Sequence, residues 1–533
     1  MTNNKKKKIN YAGITWLVLL VAAILAFIMI IRFILFPAQF TWLVAVVLLV
    51  ITGIMGFFSL RHVKGKDNKK IAVTVINSLL SVVLIVVSVY LPILNGKLSG
   101  LFVEPTNTQE VRINAYVMSE TYKSEHAGNF STTVTSTDLA DYKDAKFITQ
   151  KQMDQENQTY ALEDIQKKLE VNSLNIVSQD DIWSALSALY SGTGDVLVLS
   201  EFYESTITEV QGYENFTTDT QILYTVTKTI EVETAEPTPE ANVSDSFMVF
   251  IAGSDTRGTN LTLYTRTDVD MIMTVDPKNK QVLLVSVPRD WYVKNPALGN
   301  GYDKLTHLGN SGLMNTVQGL NQEFGFDYMT DYFSVNFVTF KNIVDGIGGV
   351  DINNPYAFTT NNGSCKIENG RLVATSPYTF QAGNIHLDGN EALAYVRERY
   401  NLPNGDYGRN EHQAIVLQGI LNKLTSASVV ASLPNLLNNL QGNFLTSISS
   451  DFLFELASAQ ITNAGSWNFV SYHLTGVGDH NSTASMGAQQ LYVSYPIAAQ
   501  VEFAKEQMTK VMNGEIITQE TLPDEDKTIY LPN

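Results

Sequence analysis

Cysteine is nearly missing from this chain: Cys365 stands alone among 533 residues, which excludes an intrachain disulfide framework. Positive charge is also scarce beyond the N-terminal part. Residues 1–100 hold eleven Lys and Arg against one acid, Asp67, so a total net charge of −17 leaves about −27 for the remainder. A surface that acidic repels DNA and RNA, whose affinity for proteins rests on phosphate neutralisation, so no nucleic-acid partner is expected. No internal repeat is present, which excludes a solenoid. The length allows two or three domains, each with its own core.

Long apolar runs are what the N-terminal part does have. Residues 14–36, 40–60 and 71–94 are each long enough to cross about 30 Å of hydrocarbon as a helix. The first is too long for a cleaved signal peptide and no small-x-small site closes it. Lys5–Lys8 precede it, and Arg61, Lys64, Lys66, Lys69 and Lys70 separate the second run from the third. The positive-inside bias places both basic stretches in the cytoplasm. Three spans then put everything after about residue 95 outside the cell, with residues 1–98 as a membrane domain.

The exterior part divides by composition. Residues 101–230 read as a small α/β accessory domain: Val111–Met118 alternates like a strand, Tyr160–Leu169 and Asp181–Tyr190 have helical spacing, and Asp195–Leu199 reads as a buried strand. Residues 231–244, acidic with two prolines, form a stiff linker. Residues 245–512 then show apolar runs at Phe247–Ala252, Asp270–Val275 and Val282–Val287, apolar on both faces, alternating with helical stretches such as Met314–Phe324 and Phe340–Gly346. That pattern predicts an α/β/α domain around a covered, mixed sheet. Asp388 and Glu391 have the spacing of a capping box opening a helix at Glu391–Val396, and a longer helix is expected from about His412 to Leu424. Residues 513–533 look like a loose acidic tail.

Two segments of this last domain concentrate arginine and aspartate in an otherwise acidic background. The first contains Gly253-Ser254-Asp255-Thr256-Arg257, Arg266-Thr267-Asp268 and Pro288-Arg289-Asp290; the second contains Arg397-Glu398-Arg399 and Asp406-Tyr407-Gly408-Arg409, ending at Gln413. Asp255 closes one strand and Asp268 opens the next, and strand ends converge on a crevice in α/β sheets. Two carboxylates there suit Mg²⁺, which takes one or two protein oxygens and completes its shell with water and phosphate; capping or turn roles explain them equally well. Arg397 and Arg399, i and i+2 in an extended chain, would face one way. Any single arginine is commonly a surface ion pair, but five at element ends point to an anion site, since guanidinium binds phosphate bidentately.

These residues resemble the LytR-CpsA-Psr family. The resemblance rests on Gly-Ser-Asp-x-Arg, Arg-Thr-Asp, Ser-Val-Pro-Arg-Asp-Trp-Tyr-Val, Gly348-Gly349-Val350, Leu387-Asp-Gly-x-Glu-Ala-Leu-Ala-Tyr-Val-Arg-x-Arg and Asp-x-x-Arg to Gln413, six motifs in order. Three spans with an accessory domain look most like its streptococcal-type capsule members. The resemblance implies an extracytoplasmic phosphotransferase that moves a polyprenyl-pyrophosphate-linked glycopolymer, capsular polysaccharide on the capsule-type reading, to a peptidoglycan hydroxyl. It implies Asp255 and Asp268 as ligands of Mg²⁺ (or Mn²⁺), and Arg266, Arg289, Arg397, Arg399, Arg409 and Gln413 around the pyrophosphate. Arg289 and Asp268 would act in catalysis, with Asp290 as a candidate base or as an orienting partner of a neighbouring arginine. Implied partners are the lipid-linked polymer, peptidoglycan, the membrane and other capsule-assembly proteins. Two places depart from the family pattern: Glu411-His412 stands where a basic residue is common, and His307 sits in the loop Lys304-Leu-Thr-His307, as a proton carrier or as an ordinary hydrogen-bonded histidine. A regulator of capsule expression and a lipid pyrophosphatase remain the alternatives. The cytoplasmic stretches are too short for a compact DNA-binding fold.

Overall fold

The structure is a computed structural model. It describes residues 10–32, 38–60, 67–101, 108–126, 137–152, 154–208, 210–231, 243–254, 263–361, 365–368, 371–425, 444–449 and 466–519, with isolated residues between. Asp255, Arg257 and most of the 231–244 linker therefore lie outside the described residues. Contacts divide the chain into two units, residues 1–102 with 450–464, and residues 103–449 with 465–533.

The first unit contains three helices, α1 (Tyr11–Arg32), α2 (Ala38–Leu60) and α3 (Asp67–Leu101). Among the described residues two stretches are long and apolar enough to cross a membrane, Tyr11–Ile31 and Lys69–Tyr90; the apolar stretch in α2, Val44–Leu60, is shorter. Two of the three expected spans thus meet that length among the described residues. Polar groups tie the helices: Trp16 Nε1 donates to the Thr52 carbonyl at 2.8 Å, and the buried Asn77 amide donates to Ser59 Oγ at 3.0 Å. Gly56 makes room for the first contact, since a Cβ there would stand 2.7 Å from the Trp16 ring nitrogen. Elsewhere the helices turn Leu17, Val21, Leu49 and Val82 outward, as lipid-facing surfaces do.

In the second unit, the accessory part is a five-stranded sheet of order β3-β2-β4-β1-β5, made of β1 (Thr108–Met118), β2 (Lys146–Gln150), β3 (Asn175–Gln179), β4 (Val196–Ser200) and β5 (Thr220–Glu231). Central strand β4 is buried throughout, because helices α4 (Gln155–Leu169) and α5 (Ile182–Tyr190) cover it with Ile165, Leu186 and Leu189.

The larger part is built on a six-stranded mixed sheet. Its strands are β6 (Phe247–Ser254), β7 (Thr267–Asp276), β8 (Gln281–Val287), β11 (Asp331–Val335), β14 (Leu445–Thr446) and β15 (Asn468–His473), in the order β14-β11-β6-β7-β8-β15. β6, β7 and β8 run antiparallel as a meander, whereas β11 joins β6 and β15 joins β8 in parallel. One face packs Phe250, Ile272 and Val285 against helices α6 (Leu313–Phe324) and α10 (Ala498–Met512). The other face packs Val282 and Leu284 under α9 (Asp406–Leu424), through Leu417 and Leu421. Beside α9 lie α7 (Phe337–Gly346), α8 (Gly389–Arg397) and the ladder of β12 (Val350–Asn354) with β13 (Gly383–Leu387). Two short ribbons complete the frame: β9 (Tyr292–Asn295) with β10 (Gly301–Lys304), and β16 (Gly476–Thr483) with β17 (Gly487–Pro496). The α/β/α arrangement expected from alternating runs is what forms.

Two boundaries moved. Helix α9 starts at Asp406 rather than near His412, so Asp406, Arg409 and Gln413 are successive turns of one helix instead of a loop before it. The supposed tail is attached over its first residues: Asn279 Nδ2 donates to the Gly514 carbonyl (2.9 Å), Asn468 Nδ2 to the Ile517 carbonyl (2.7 Å), and Ile517 is buried. Side-chain amides at the strand ends capture the backbone there, a pairing that an acidic composition does not reveal. The capping box of α8 is complete, with Asp388 Oδ1 accepting from the Glu391 amide at 2.9 Å and Glu391 Oε2 accepting from the Asp388 amide at 2.9 Å. Asp388→Ala should lower stability by about 1 kcal/mol, measured by denaturant unfolding, and Asp388→Ser should recover most of it.

Candidate anion and metal site

The site forms where β7 begins, β8 ends and α9 starts. Register explains the first placement. Gly253 pairs with Val269 but Ser254 pairs with Thr267, leaving Asp268 as the extra residue of a bulge. A bulge breaks the in–out alternation and re-aims its side chain. Asp268 meets Arg289, two residues past the end of β8, with Nη1 donating to Oδ1 at 2.5 Å. Burial would raise the Asp268 pKa, but Arg289, then Arg409 and Arg266, outweigh it and hold the carboxyl well below the ordinary range.

Arg409 enters from the first turn of α9. It is buried, and its Nη2 lies 3.0 Å from Asp406 Oδ1. Its Nε is buried with no hydrogen-bond partner among the described residues. Burial lowers the Arg409 pKa, with Asp406 opposing and Arg289 adding to the fall. A guanidinium always stays charged in proteins, so this direction measures a cation in need of an anion. Arg399 approaches the same Asp406 at 3.9 Å and donates to Tyr400 Oη at 2.5 Å. Arg266 is buried at the head of β7, its Nε 3.5 Å from Thr306 Oγ1.

Two members of the expected set are engaged elsewhere. Arg397 is the last residue of α8, and Glu398 caps that helix, so Arg397 and Arg399 do not sit in one extended strand. The Arg397 guanidinium instead lies over the Phe337 ring, 4.6 Å from its centroid. Gln413 donates through Nε2 to the Val396 carbonyl at 3.4 Å, linking α9 to the end of α8. Asp290 is held by Lys304, with Nζ 2.6 Å from Oδ1, and its Oδ2 lies 4.0 Å from Arg289 Nε. That geometry suits Asp290 as an orienting partner of the Arg289 turn.

Several residues of the site were not singled out from the sequence. Asp406 bridges Arg399 and Arg409. Lys304 secures Asp290. Buried Glu398 accepts from the backbone amides of Asn361, Arg399 and Asn401 at 2.7, 2.9 and 3.0 Å, fixing the turn after α8. Asp270 is a further acid on β7, and its burial, against a smaller opposing effect of the Thr267 hydroxyl, pushes its pKa up to about 8. A clue existed for Asp406 alone, whose i, i+3 spacing to Arg409 is that of a helical pair.

The chemistry of the donors fits a divalent cation of the Mg²⁺ kind. The Asp268 side chain is 20% exposed beside Arg289. Among the described residues no group of three or more His, Cys, Asp and Glu converges. One or two carboxylates beside an anion are what Mg²⁺ uses.

His412, which departs from the family pattern, is outside this chemistry. It is fully buried, stacks on Tyr395 at 4.1 Å, and lies against Phe358 and Tyr356. Burial lowers its pKa to about 4, against smaller upward effects of the Tyr395 carbonyl and Glu398. The folded value lies below the unfolded one, near 6.5, so the unfolded chain binds the proton first and stability falls as pH drops from about 6.5 towards 4. His412→Phe should remove about 2 kcal/mol of the stability lost between pH 7 and pH 5, read from unfolding at both pH values.

With the geometry in hand, the comparisons with known proteins are direct. A sequence model of the LytR_cpsA_psr family matches residues 208–499, more than half of the chain. The polyisoprenyl-teichoic acid–peptidoglycan teichoic acid transferase TagU of Enterococcus faecalis is 34% identical over 234 residues, covering 42% of this chain and 70% of that protein. TagU of Bacillus subtilis is 33% identical over 223 residues, covering 41% of this chain and 65% of that protein. Among solved structures, B. subtilis TagV aligns at 24% identity over 51% of this chain and 99% of its own, with a TM-score of 0.40. The motifs and the match agree, and the chain belongs to the LytR_cpsA_psr family.

Proposed function

We propose that this protein is a membrane-anchored phosphotransferase that moves a polyprenyl-pyrophosphate-linked glycopolymer onto peptidoglycan outside the cell. The observation that carries the reading is the convergence of Asp268, Arg289, Arg409 and Asp406 from three separate elements, with a buried arginine Nε left unpartnered. Buried guanidiniums on that scale need an anion, and a pyrophosphate supplies several oxygens in bidentate reach. α1, α2 and α3 are read as three spans, with the N-terminus cytoplasmic and residues beyond about 95 outside.

The acceptor hydroxyl oxygen bonds to the sugar-linked phosphorus as the bridging P–O bond breaks, and polyprenyl phosphate leaves, with the hydroxyl proton passing to the leaving phosphate or to water. Arg289 and Arg409 bind the phosphoryl oxygens and neutralise charge gathering on the leaving group. Asp268 orients Arg289, and Asp406 orients Arg409 and Arg399. Asp255 and Asp268 would hold Mg²⁺, which when bound supplies further charge neutralisation at the phosphates. Lys304 and Asp290 keep the Arg289 turn in place.

The multi-helix anchor and accessory domain are the grounds for naming capsular polysaccharide as the polymer. The relatives' names specify teichoic acid, so the test carries both. Full-length protein in nanodiscs is given either lipid-linked polymer with peptidoglycan, and wall-bound polymer and released polyprenyl phosphate are measured. Arg409→Ala should lower turnover about 10²–10³-fold, and Arg409→Lys should recover only part, since an ammonium lacks the planar fork. Undiminished transfer by Arg409→Ala would sink the reading; transfer of teichoic acid alone would replace the polymer.

A further inference from the structure

Ser485, His307 and Asp303 form a buried cluster that the proposed reaction does not use. The Asp303 carboxylate accepts from the Lys304 amide (2.9 Å), the Asn295 side chain (3.2 Å), and the Ser485 amide and hydroxyl (3.1 and 2.9 Å). His307 Nδ1 lies 2.8 Å from Asp303 Oδ1 and 3.1 Å from Ser485 Oγ. A nucleophilic triad would need serine and aspartate on opposite ring nitrogens; here both crowd Nδ1, so the cluster is a joint rather than a reactive centre.

One side of the joint is the end of β10 and the helical turn Leu305–Leu308 that follows it. The Thr306 amide donates to the Arg289 carbonyl at 2.9 Å and the Leu305 amide to the Trp291 carbonyl at 2.8 Å. Thr306 Oγ1 meets Arg266 Nε, and Lys304 Nζ meets Asp290. This one segment, Lys304–Thr306, therefore touches Arg266, Arg289 and Asp290. The other side leads into the accessory domain. Ser485 lies in the turn between β16 and β17, and its neighbour Met486 is fully buried in the accessory core beside Trp183 and Leu186. Trp183 Nε1 donates to the Met486 carbonyl at 2.8 Å, and Gln152 Nε2 to the Ala484 carbonyl at 3.1 Å.

We propose that the accessory domain is a positioning device for the anion site. By gripping Met486 it sets Ser485, and Ser485 acts through Asp303 to hold the segment Lys304–Thr306, which touches Arg266, Arg289 and Asp290. Ser485 and Trp183 are positioning residues, remote from substrate. The assignment rests on the proposed function only in taking those arginines as the anion-binding set.

The test uses full-length protein in detergent, with Ser485→Ala and with Trp183→Phe, which keeps an aromatic ring and loses the hydrogen bond to Met486. Hydrogen exchange is read at the Leu305 and Thr306 amides, with β4 of the accessory sheet as internal reference, and binding of geranylgeranyl pyrophosphate is measured alongside. Exchange at Leu305 and Thr306 should rise about tenfold in both variants, with β4 protection unchanged and affinity for the probe reduced. Unchanged protection in both variants overturns the proposal, as does faster exchange with unaltered affinity. Should Ser485→Ala fail to fold, Trp183→Phe decides. If the parent protein binds no pyrophosphate while exchange still rises, the anion-site reading fails and the mechanical link stands.

Discussion

Arg289 and Asp268 face each other at 2.5 Å with little solvent around them, and much of the surrounding structure exists to keep that pair in place. Buried charges cost several kcal/mol each unless compensated, so their neighbours must be placed with care. The bulge in β7 aims Asp268 at the pair, and Pro288 and the Thr306 amide fix the Arg289 backbone. Arg409 and Arg266 add positive charge that Asp268 alone cannot balance. Asp406 and Asp290 offset part of that charge, and the anion of the proposed function would meet the rest.

Around this centre, the same residue types serve as scaffolding when they occupy other places. Arg397 covers an aromatic ring, the Glu398 carboxylate fixes the turn after α8, and Gln413 ties α9 to α8. These contacts set the angle at which α9 delivers Arg409. His412 has joined the aromatic packing of Tyr356, Phe358 and Tyr395, so its departure from the family pattern leaves the charge of the anion site to the arginines.

The accessory domain is packed into the same unit as the six-stranded sheet, with Met486 of the β16–β17 turn buried in its core. A hairpin that leaves one core to complete another couples the two mechanically, because a close-packed interior transmits displacement. That arrangement could not be read from residues 101–230, which carry no motif of their own.

Local pattern was enough for the layered α/β/α domain, the capping box at Asp388 and the two Arg/Asp segments, because periodicity, capping and charge clustering depend on near neighbours in sequence. It also placed the apolar helices, though α2 has a shorter apolar stretch among the described residues than the run suggested. Only the tertiary structure decided which charges meet. Asp268 leaves the alternation of its strand through a register shift set by β6, and Asp406 gains its role because helix α9 begins earlier than hydrophobic spacing implied. Asp303 and Ser485 are 182 positions apart in the chain and meet only when the hairpin folds back. Such pairings follow from long-range packing, and no property of a residue or its near neighbours records them.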